Sequence, residues 1–271
     1  MSEPVVTLLS DYGLQDEFVG VCHGVIARIC PQARIIDVTH GIAPQDVLGG
    51  ALRLAAALPY LPIGVHVGVV DPGVGSDRGA VAIRCADGQI LVGPDNGLLR
   101  PAAERSGGIA QAVEISGSPF RLEPVSATFH GRDIFAPVAA HLAAGRSLAE
   151  AGRPLDPDAL IPLELPQVTI QDGVVTATAL LEDGFGNLQL NCRAEAIDVH
   201  PGTELVLGSA HAIYGNKFTD VAPGELVLYP DAAGFLAVAV NQGSAAERLG
   251  LGPGSELQIK PSQGRDDAQR P

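Results

Sequence analysis

The sequence predicts an α/β amino-terminal domain with a mainly parallel sheet, followed by a smaller, all-β, barrel-like carboxy-terminal domain. Two observations carry this reading. Over residues 1–160, short apolar runs alternate with longer segments of helical spacing, the pattern of strands and helices in turn. Beyond residue 166 the apolar runs are short and separated by Gly, Pro or Asp, as in a small barrel or sandwich. Between the two, residues 153–166 hold four prolines and little periodicity, and read as a linker. The domains are therefore 1–160 and 167–261, with a polar, flexible tail at 262–271.

The elements follow in order. Val5-Val6-Thr7-Leu8-Leu9-Ser10 is a strand that ends in the turn residues Asp11-Tyr12-Gly13. Residues 18–29 carry apolar side chains at helical spacing, and Ile35-Ile36-Asp37-Val38 is a second strand. Residues 45–58 are rich in Ala and Leu and form a helix stopped by Pro59 and Pro62. Residues 64–70 are continuously apolar, as in a strand buried on both faces. Strands at 81–84 and 90–92 flank Asp87-Gly88, a hairpin turn. A helix at 135–144 is entered through Arg132-Asp133. Short strands follow at 168–170, 174–181, 188–190, 204–207, 225–229, 235–240 and 256–259.

Composition excludes several function classes. Among 271 residues, 17 are Lys or Arg and 31 are Asp or Glu, giving a net charge of −14. A phosphate backbone needs a basic face, so a nucleic-acid partner is excluded. No apolar stretch reaches the ~18 residues of a membrane span. Met1-Ser2-Glu3-Pro4 has no basic region, so no secretory signal is expected and the location is cytoplasmic. Four cysteines form no C-x-x-C pair and read as reduced core residues. Aromatic residues are 4% with no Trp, so a ligand would be held mainly by polar groups and backbone.

Polar residues gather where strands end. Asp11 follows the first strand, Asp71 opens a loop that reaches Arg78, and Asp95-Asn96-Gly97 follows a third. In a parallel sheet the carboxyl ends of strands line the binding crevice. The loop Gly73-x-Gly75-x-x-x-Gly79 is not G-x-G-x-x-G, and no Gly-Lys-Ser/Thr occurs, so dinucleotide and P-loop readings are weak. Thr128-Phe129-His130-Gly131-Arg132-Asp133 stands before a helix. Either Thr128 or Asp133 caps that helix and His130 is a satisfied loop residue, or His130 is a base or orients a nucleophile, with Arg132 supporting the site. No H-x-x-x-H or H-x-H pair exists, so a zinc site is a poor hypothesis. Asp183-Gly184-Phe185-Gly186-Asn187 is a strand-to-strand turn, or Asn187 offers its paired donor and acceptor to a base edge.

In order along the chain, the segments 9–13, 69–75, 93–99, 128–137 and 183–187 resemble the S-adenosyl-L-methionine (SAM) hydroxide adenosyltransferases, relatives of the SAM-dependent chlorinase and fluorinase. The similarity covers roughly Val5 to Ile259. It implies an α/β domain, a β domain and a homotrimer with substrate between the amino-terminal domain of one subunit and the carboxy-terminal domain of its neighbour. It implies hydrolysis of SAM to adenosine and L-methionine, with Asp71, Arg78 and His130 holding and activating water. Asp11 would accept from the ribose hydroxyls, Asp183 would face the methionine ammonium and Asn187 the adenine edge. Phe218 would cover the adenine, and Phe185 and Val240 complete the substrate-binding set. SAM is the substrate, and no cofactor or metal is implied.

Departures from the relatives discriminate among activities. The fluorinase has Tyr-Ser where this chain has His130-Gly131, and that Ser helps hold the halide; the chlorinase also has Tyr at the His130 position. A halide needs no base and water does, so His130 favours hydrolysis. A family segment that usually has Ser before Gly234, and Glu at the Ala237 position, is altered here. Two alternatives stand beside hydrolysis: a halide-dependent adenosyltransferase, and a non-enzymatic SAM or adenosine sensor.

Overall fold

A computed structural model describes residues 3–262, which divide after Glu164 into two compact units. The expected tail at 262–271 lies, apart from Ser262, outside the described residues.

The first unit runs β1 (Val5–Ser10), α1 (Phe18–Ile29), β2 (Arg34–Thr39), α2 (Val47–Ala57), β3 (Val65–Val69), β4 (Ala80–Cys85), β5 (Ile90–Pro94), α3 (Arg100–Arg105), β6 (Ile109–Glu114), α4 (Ala136–Ala143), α5 (Leu148–Ala151) and β7 (Arg153–Leu155). Its seven-stranded sheet has the order β2-β1-β3-β5-β4-β6-β7. Pairing is parallel from β2 through β5 and antiparallel from β5 to β7. The parallel half follows from the βα alternation. The antiparallel half begins where the Asp87-Gly88 turn, with Gly88 at φ 97°, folds β4 directly onto β5.

Alternation explains why β1, β3 and β5 are buried along their whole length. Val6, Leu8, Val67 and Val92 point to one face, with Ile26 of α1 and Val138 of α4. Leu9 and Leu91 point to the other, with Leu54 of α2 and Ala102 of α3. A strand covered on both sides needs apolar residues at every position. Thr7 and Ser10 on β1 are polar exceptions, as is His66 on β3. Its Nε2 lies 2.6 Å from Gln89 Oε1 and its Nδ1 lies 2.9 Å from Thr7 Oγ1, so the buried ring is satisfied.

The linker reading of 153–166 is corrected at its start. Residues 153–155 form β7, the edge strand, which pairs with β6. Pro154 fits because an edge strand has one side without ladder bonds. Leu160 is buried, and Ile161 N–H donates to Asp95 Oδ1 at 2.9 Å, so this segment packs onto the first unit.

The second unit runs β8 (Thr169–Gln171), β9 (Val174–Glu182), β10 (Leu188–Arg193), β11 (Glu204–Leu207), β12 (Ala210–Tyr214), β13 (Leu226–Pro230), β14 (Phe235–Val240), α6 (Ala245–Leu249) and β15 (Glu256–Pro261). Seven strands close in the order β10-β14-β13-β12-β11-β15-β9, with β9 returning to β10 and β8 outside it. Of the two architectures open on the sequence, this is the barrel. The nine-residue β9 closes it: Val175–Thr178 pair with β15, and Ala179–Glu182 pair with β10. Alternate residues, among them Leu188, Leu190, Leu228, Leu236, Val238 and Ile259, fill the interior. Ser244 accepts from Glu247 N–H at 3.0 Å to start α6, and Gly250 ends it at φ 65°.

All four cysteines are buried and unpaired by disulfide. No helix among the described residues is long and apolar enough to cross a membrane.

Candidate active site

The carboxyl end of β3 and the turn before α4 build one polar cluster. Beyond β3, Val74 N–H donates to Asp71 O, Ser76 N–H donates to Gly73 O, and Arg78 N–H donates to Ser76 Oγ. Gly75 sits at φ 79°, where its missing side chain lets the Ala127 carbonyl close in. These turns bring Arg78 back over Asp71. Arg78 Nε donates to Asp71 Oδ1 at 3.0 Å, and Nη2 donates to Oδ2. Nη1 donates to Gly79 O at 3.0 Å. The side chains are only 7% and 6% exposed, and the guanidinium lies over the Phe135 ring.

Arg78 Nη2 also donates to Nδ1 of His130 at 3.0 Å. A guanidinium has no acceptor, so Nδ1 is the accepting nitrogen and the ring proton resides on Nε2. Burial first, then the charge of Arg78, lowers the His130 pKa. The imidazole is therefore neutral at pH 7. Burial raises the pKa of Asp71 while Arg78 pulls it back. The site thus sets an anion, a fixed cation and a neutral ring N–H side by side.

His130 leads into a π-helical turn, Gly131–Phe135, ahead of α4. Such turns interrupt α-helices most often at functional sites. Gly131 is there for space: a Cβ would overlap the Tyr12 hydroxyl. Tyr12 packs edge-on against Phe18 and Phe129, each 5.8 Å away. Burial, with the negative charges of Asp11 and Asp71 nearby, raises its phenol pKa. Tyr12 thereby joins the Asp11 loop to the turn carrying His130. Sequence reading passed over it, although it stands beside Asp11 in the first matching segment.

The neighbouring residues divide between chemistry and scaffold. Asp11 Oδ2 accepts from Gln45 N–H at 2.9 Å. Asp133 is buried and accepts from Arg132 at 2.6 and 2.8 Å and from Ser126 N–H at 2.8 Å. It therefore braces the preceding loop, and neither it nor Thr128 caps the helix, which has no side-chain cap. Arg132 pairs with Asp133, and its guanidinium lies over the Phe129 ring. Asn96 Nδ2 donates to Val70 O at 2.9 Å and holds the β3 end in place. Asp95 accepts from Ile161 N–H and also feels the charge of Arg78.

In the barrel unit, Asp183 Oδ1 accepts from Phe185 N–H and Asn187 N–H, and its Oδ2 accepts from Asn187 Nδ2 at 2.8 Å. The turn reading therefore describes both residues as they stand. Phe185 is 82% exposed and Phe218 45%. Phe218 meets Tyr229 edge-on at 5.3 Å. Burial, then the charges of Asp183 and Asp231, push the Tyr229 phenol up to about 12. Tyr229 is a second residue that sequence reading missed, hidden in the apolar run of β13. It pairs across the ladder with Ala237, which also faces Gln189. The Val240 side chain lies in the barrel interior, and its carbonyl accepts from Gly243 N–H at 3.1 Å.

An α/β unit bearing a carboxylate–guanidinium–imidazole cluster at its strand ends, continued by a seven-stranded barrel, defines a recognisable class of two-unit proteins. The chain belongs to the SAM hydroxide adenosyltransferase family. Residues 6–152 match the family's N-terminal domain and 177–258 its C-terminal domain. It is 49% identical over 256 residues to a Salinispora tropica protein named (R)-S-adenosyl-L-methionine hydrolase, covering 94% of this chain and 97% of that one. A Nocardia brasiliensis protein named fluorinase is 30% identical, over 95% and 97% of the two chains. Among solved structures, an uncharacterised conserved protein from Thermotoga maritima superposes with a TM-score of 0.84 at 37% identity, over 94% of this chain and 99% of that one.

Proposed function

We propose that this protein is an enzyme that hydrolyses SAM to adenosine and L-methionine. The observation that carries the mechanism is Arg78, which donates to both Asp71 and His130. The relative at 49% identity that is named for this activity supports the same reading.

The chemistry needs little from the protein beyond a placed nucleophile. SAM's leaving group is a neutral thioether, so no general acid is required. Water attacks C5′ in line with sulfur; the C5′–O bond forms, the C5′–S bond breaks with its electron pair staying on sulfur, and one proton is released. His130 offers its Nε2–H to the water oxygen, fixing its orientation. Asp71 accepts the departing proton at a carboxylate lone pair not used by Arg78. Burial raises its pKa and so improves it as an acceptor. Arg78 holds both groups and stabilises negative charge developing on the oxygen. Base assistance of this kind is typically worth about 10²–10⁴-fold, and positioning up to roughly 7–11 kcal/mol.

Asp11 takes the ribose diol, and Asp183, Phe185, Asn187, Phe218 and the Val240 backbone serve the adenine and methionine ends. Asp183 and Asn187 then exchange part of their mutual bonding for the ligand. The enzyme works as a cytoplasmic homotrimer with substrate held at subunit interfaces, for which the exposed Phe185 and Phe218 rings are support. Against halide transfer, the Tyr12 hydroxyl fills the space that a Ser side chain at 131 would need.

Incubation with SAM, followed by chromatography, tests the assignment. Equimolar adenosine and methionine are expected, with no 5′-halo-adenosine in added chloride or bromide. Intact SAM after long incubation, with adenosine still bound tightly, would point to the sensor instead. Light scattering should give three times the 27.9 kDa chain mass.

A further inference from the structure

A second polar cluster lies beside β2, outside the Asp71–Arg78–His130 group. It comprises His23 of α1, Asp37 of β2 and His40 just beyond that strand, with one donor atom of each within 4.8 Å of the others. His23 Nε2 is 2.8 Å from Asp37 Oδ1, and His40 Nε2 is 3.0 Å from the same oxygen. The His40 side chain is 3% exposed. Its Nε2 is buried and, although 3.0 Å from the carboxylate, makes no well-directed hydrogen bond. The opposite nitrogen is anchored: Nδ1 lies 2.7 Å from Ser10 Oγ, which accepts from Tyr12 N–H.

We propose that His23, Asp37 and His40 form a binding site for a divalent transition metal of the zinc type. A buried imidazole with one nitrogen hydrogen-bonded and the other unpaired, close to a carboxylate and a second imidazole, is the arrangement of a metal ligand with its outer partner. A metal about 2.0–2.1 Å from each donor separates neighbouring donors by roughly 2.9–3.4 Å. The 3.0 Å separation falls within that range, and the 2.8 Å separation, also a hydrogen-bond distance, lies just below it. Two imidazoles and one carboxylate suit zinc, cobalt or nickel, whereas calcium and magnesium take oxygen. The partly exposed His23 and Asp37 leave an open side for entry and for water to complete the coordination. A purely ionic cluster accounts less well for the geometry, since a protonated His40 would aim its buried N–H at the carboxylate.

The three residues come from a helix and a strand, 14 and 3 positions apart, so no compact sequence motif marks them. The site is not part of the hydrolytic group, yet it braces the same loop. The His40 carbonyl accepts from Gly13 N–H at 2.8 Å, and Ser10 carries the outer bond. Metal binding would stiffen the segment that presents Asp11 and Tyr12.

Calorimetric titration of the chelator-treated full chain with zinc chloride tests the proposal, with cobalt(II) absorption as the spectroscopic readout. One site per chain is expected, with a zinc-dependent rise in melting temperature. His23→Gln and Asp37→Asn should each weaken binding at least tenfold and remove the rise. Both positions are partly exposed, and circular dichroism would verify that each variant is folded. Absence of zinc binding would overturn the proposal. So would equal binding by the variants, or a cobalt–thiolate band showing that cysteines hold the metal.

Discussion

Arg78 donates to Nδ1 of His130 across 3.0 Å, between residues 52 positions apart. That hydrogen bond decides what the histidine can do. With Nδ1 accepting and the ring neutral, Nε2 carries the proton and faces outward as a donor. In the proposed mechanism His130 then orients the nucleophile, and Asp71 receives the proton.

His130→Ala should lower kcat by about 10²–10⁴-fold while adenosine affinity stays within a few-fold of wild type. His130→Gln, which keeps a donor and an acceptor, should recover part of the loss. Steady-state kinetics with SAM and calorimetry with adenosine separate these effects. Equal losses in rate and affinity would make His130 a binding residue.

The pH profile should have its acid limb below the ordinary imidazole value of 6.5, because burial and Arg78 lower the His130 pKa. As pH falls through the lowered value, Nδ1 takes a proton and its bond from Arg78 is lost. Asp71, whose pKa burial raises from 3.8, protonates on the same side. A plot of log kcat/KM should be level from pH 7.5 to 6.5 and fall below it. A midpoint at or above 6.5 would contradict the tautomer assigned to His130.

Gly131→Ser should damage activity through space. The new Cβ meets the Tyr12 hydroxyl, and relief requires movement of the Asp11 loop or of the π-helical turn. Overpacking of this kind costs about 1–3 kcal/mol. Thermal denaturation should show that loss, and adding Tyr12→Phe should restore part of it. An unchanged melting temperature in Gly131→Ser would show that the two elements are not in register.

Stability should decline as pH drops from 7 toward 5.5. His66 is buried and neutral, and burial lowers its pKa. Between its folded value and the unfolded 6.5, the unfolded chain binds more protons, so stability rises with pH there. His130 and His141, also lowered, act in the same direction. Urea titrations at pH 5.5 and 7.5 measure the difference. His66→Gln, compared with its own stability at pH 7.5, should show a shallower slope.

How far the sequence disclosed the molecule depends on whether each signal was local. β1, β3 and β5 were legible because burial on both faces demands predominantly apolar runs, here interrupted at Thr7, Ser10 and His66. The helix at 18–29 was legible from spacing alone and matches α1. α3, β6, α5, β7, β12 and α6 were missed, since Gln111, Pro154 and His211 break the apolar pattern of the three strands and six residues or fewer make a weak helical one. Asp71 and Asp11 announced themselves as carboxylates at strand ends. The joint use of Arg78 by Asp71 and His130 could not be read that way, because it depends on the loop at 71–79 folding back. Tyr12 filling the space beside Gly131, and Asp133 bracing Ser126 instead of capping the helix, are likewise tertiary facts. So is the meeting of His23, Asp37 and His40.

Isotope tracing addresses the central claim most directly. Hydrolysis of SAM in water enriched in oxygen-18 should place one heavy oxygen at the 5′ position of adenosine and none in methionine, read by mass spectrometry. Adenosine without the label, or no adenosine at all, would contradict attack of water on C5′.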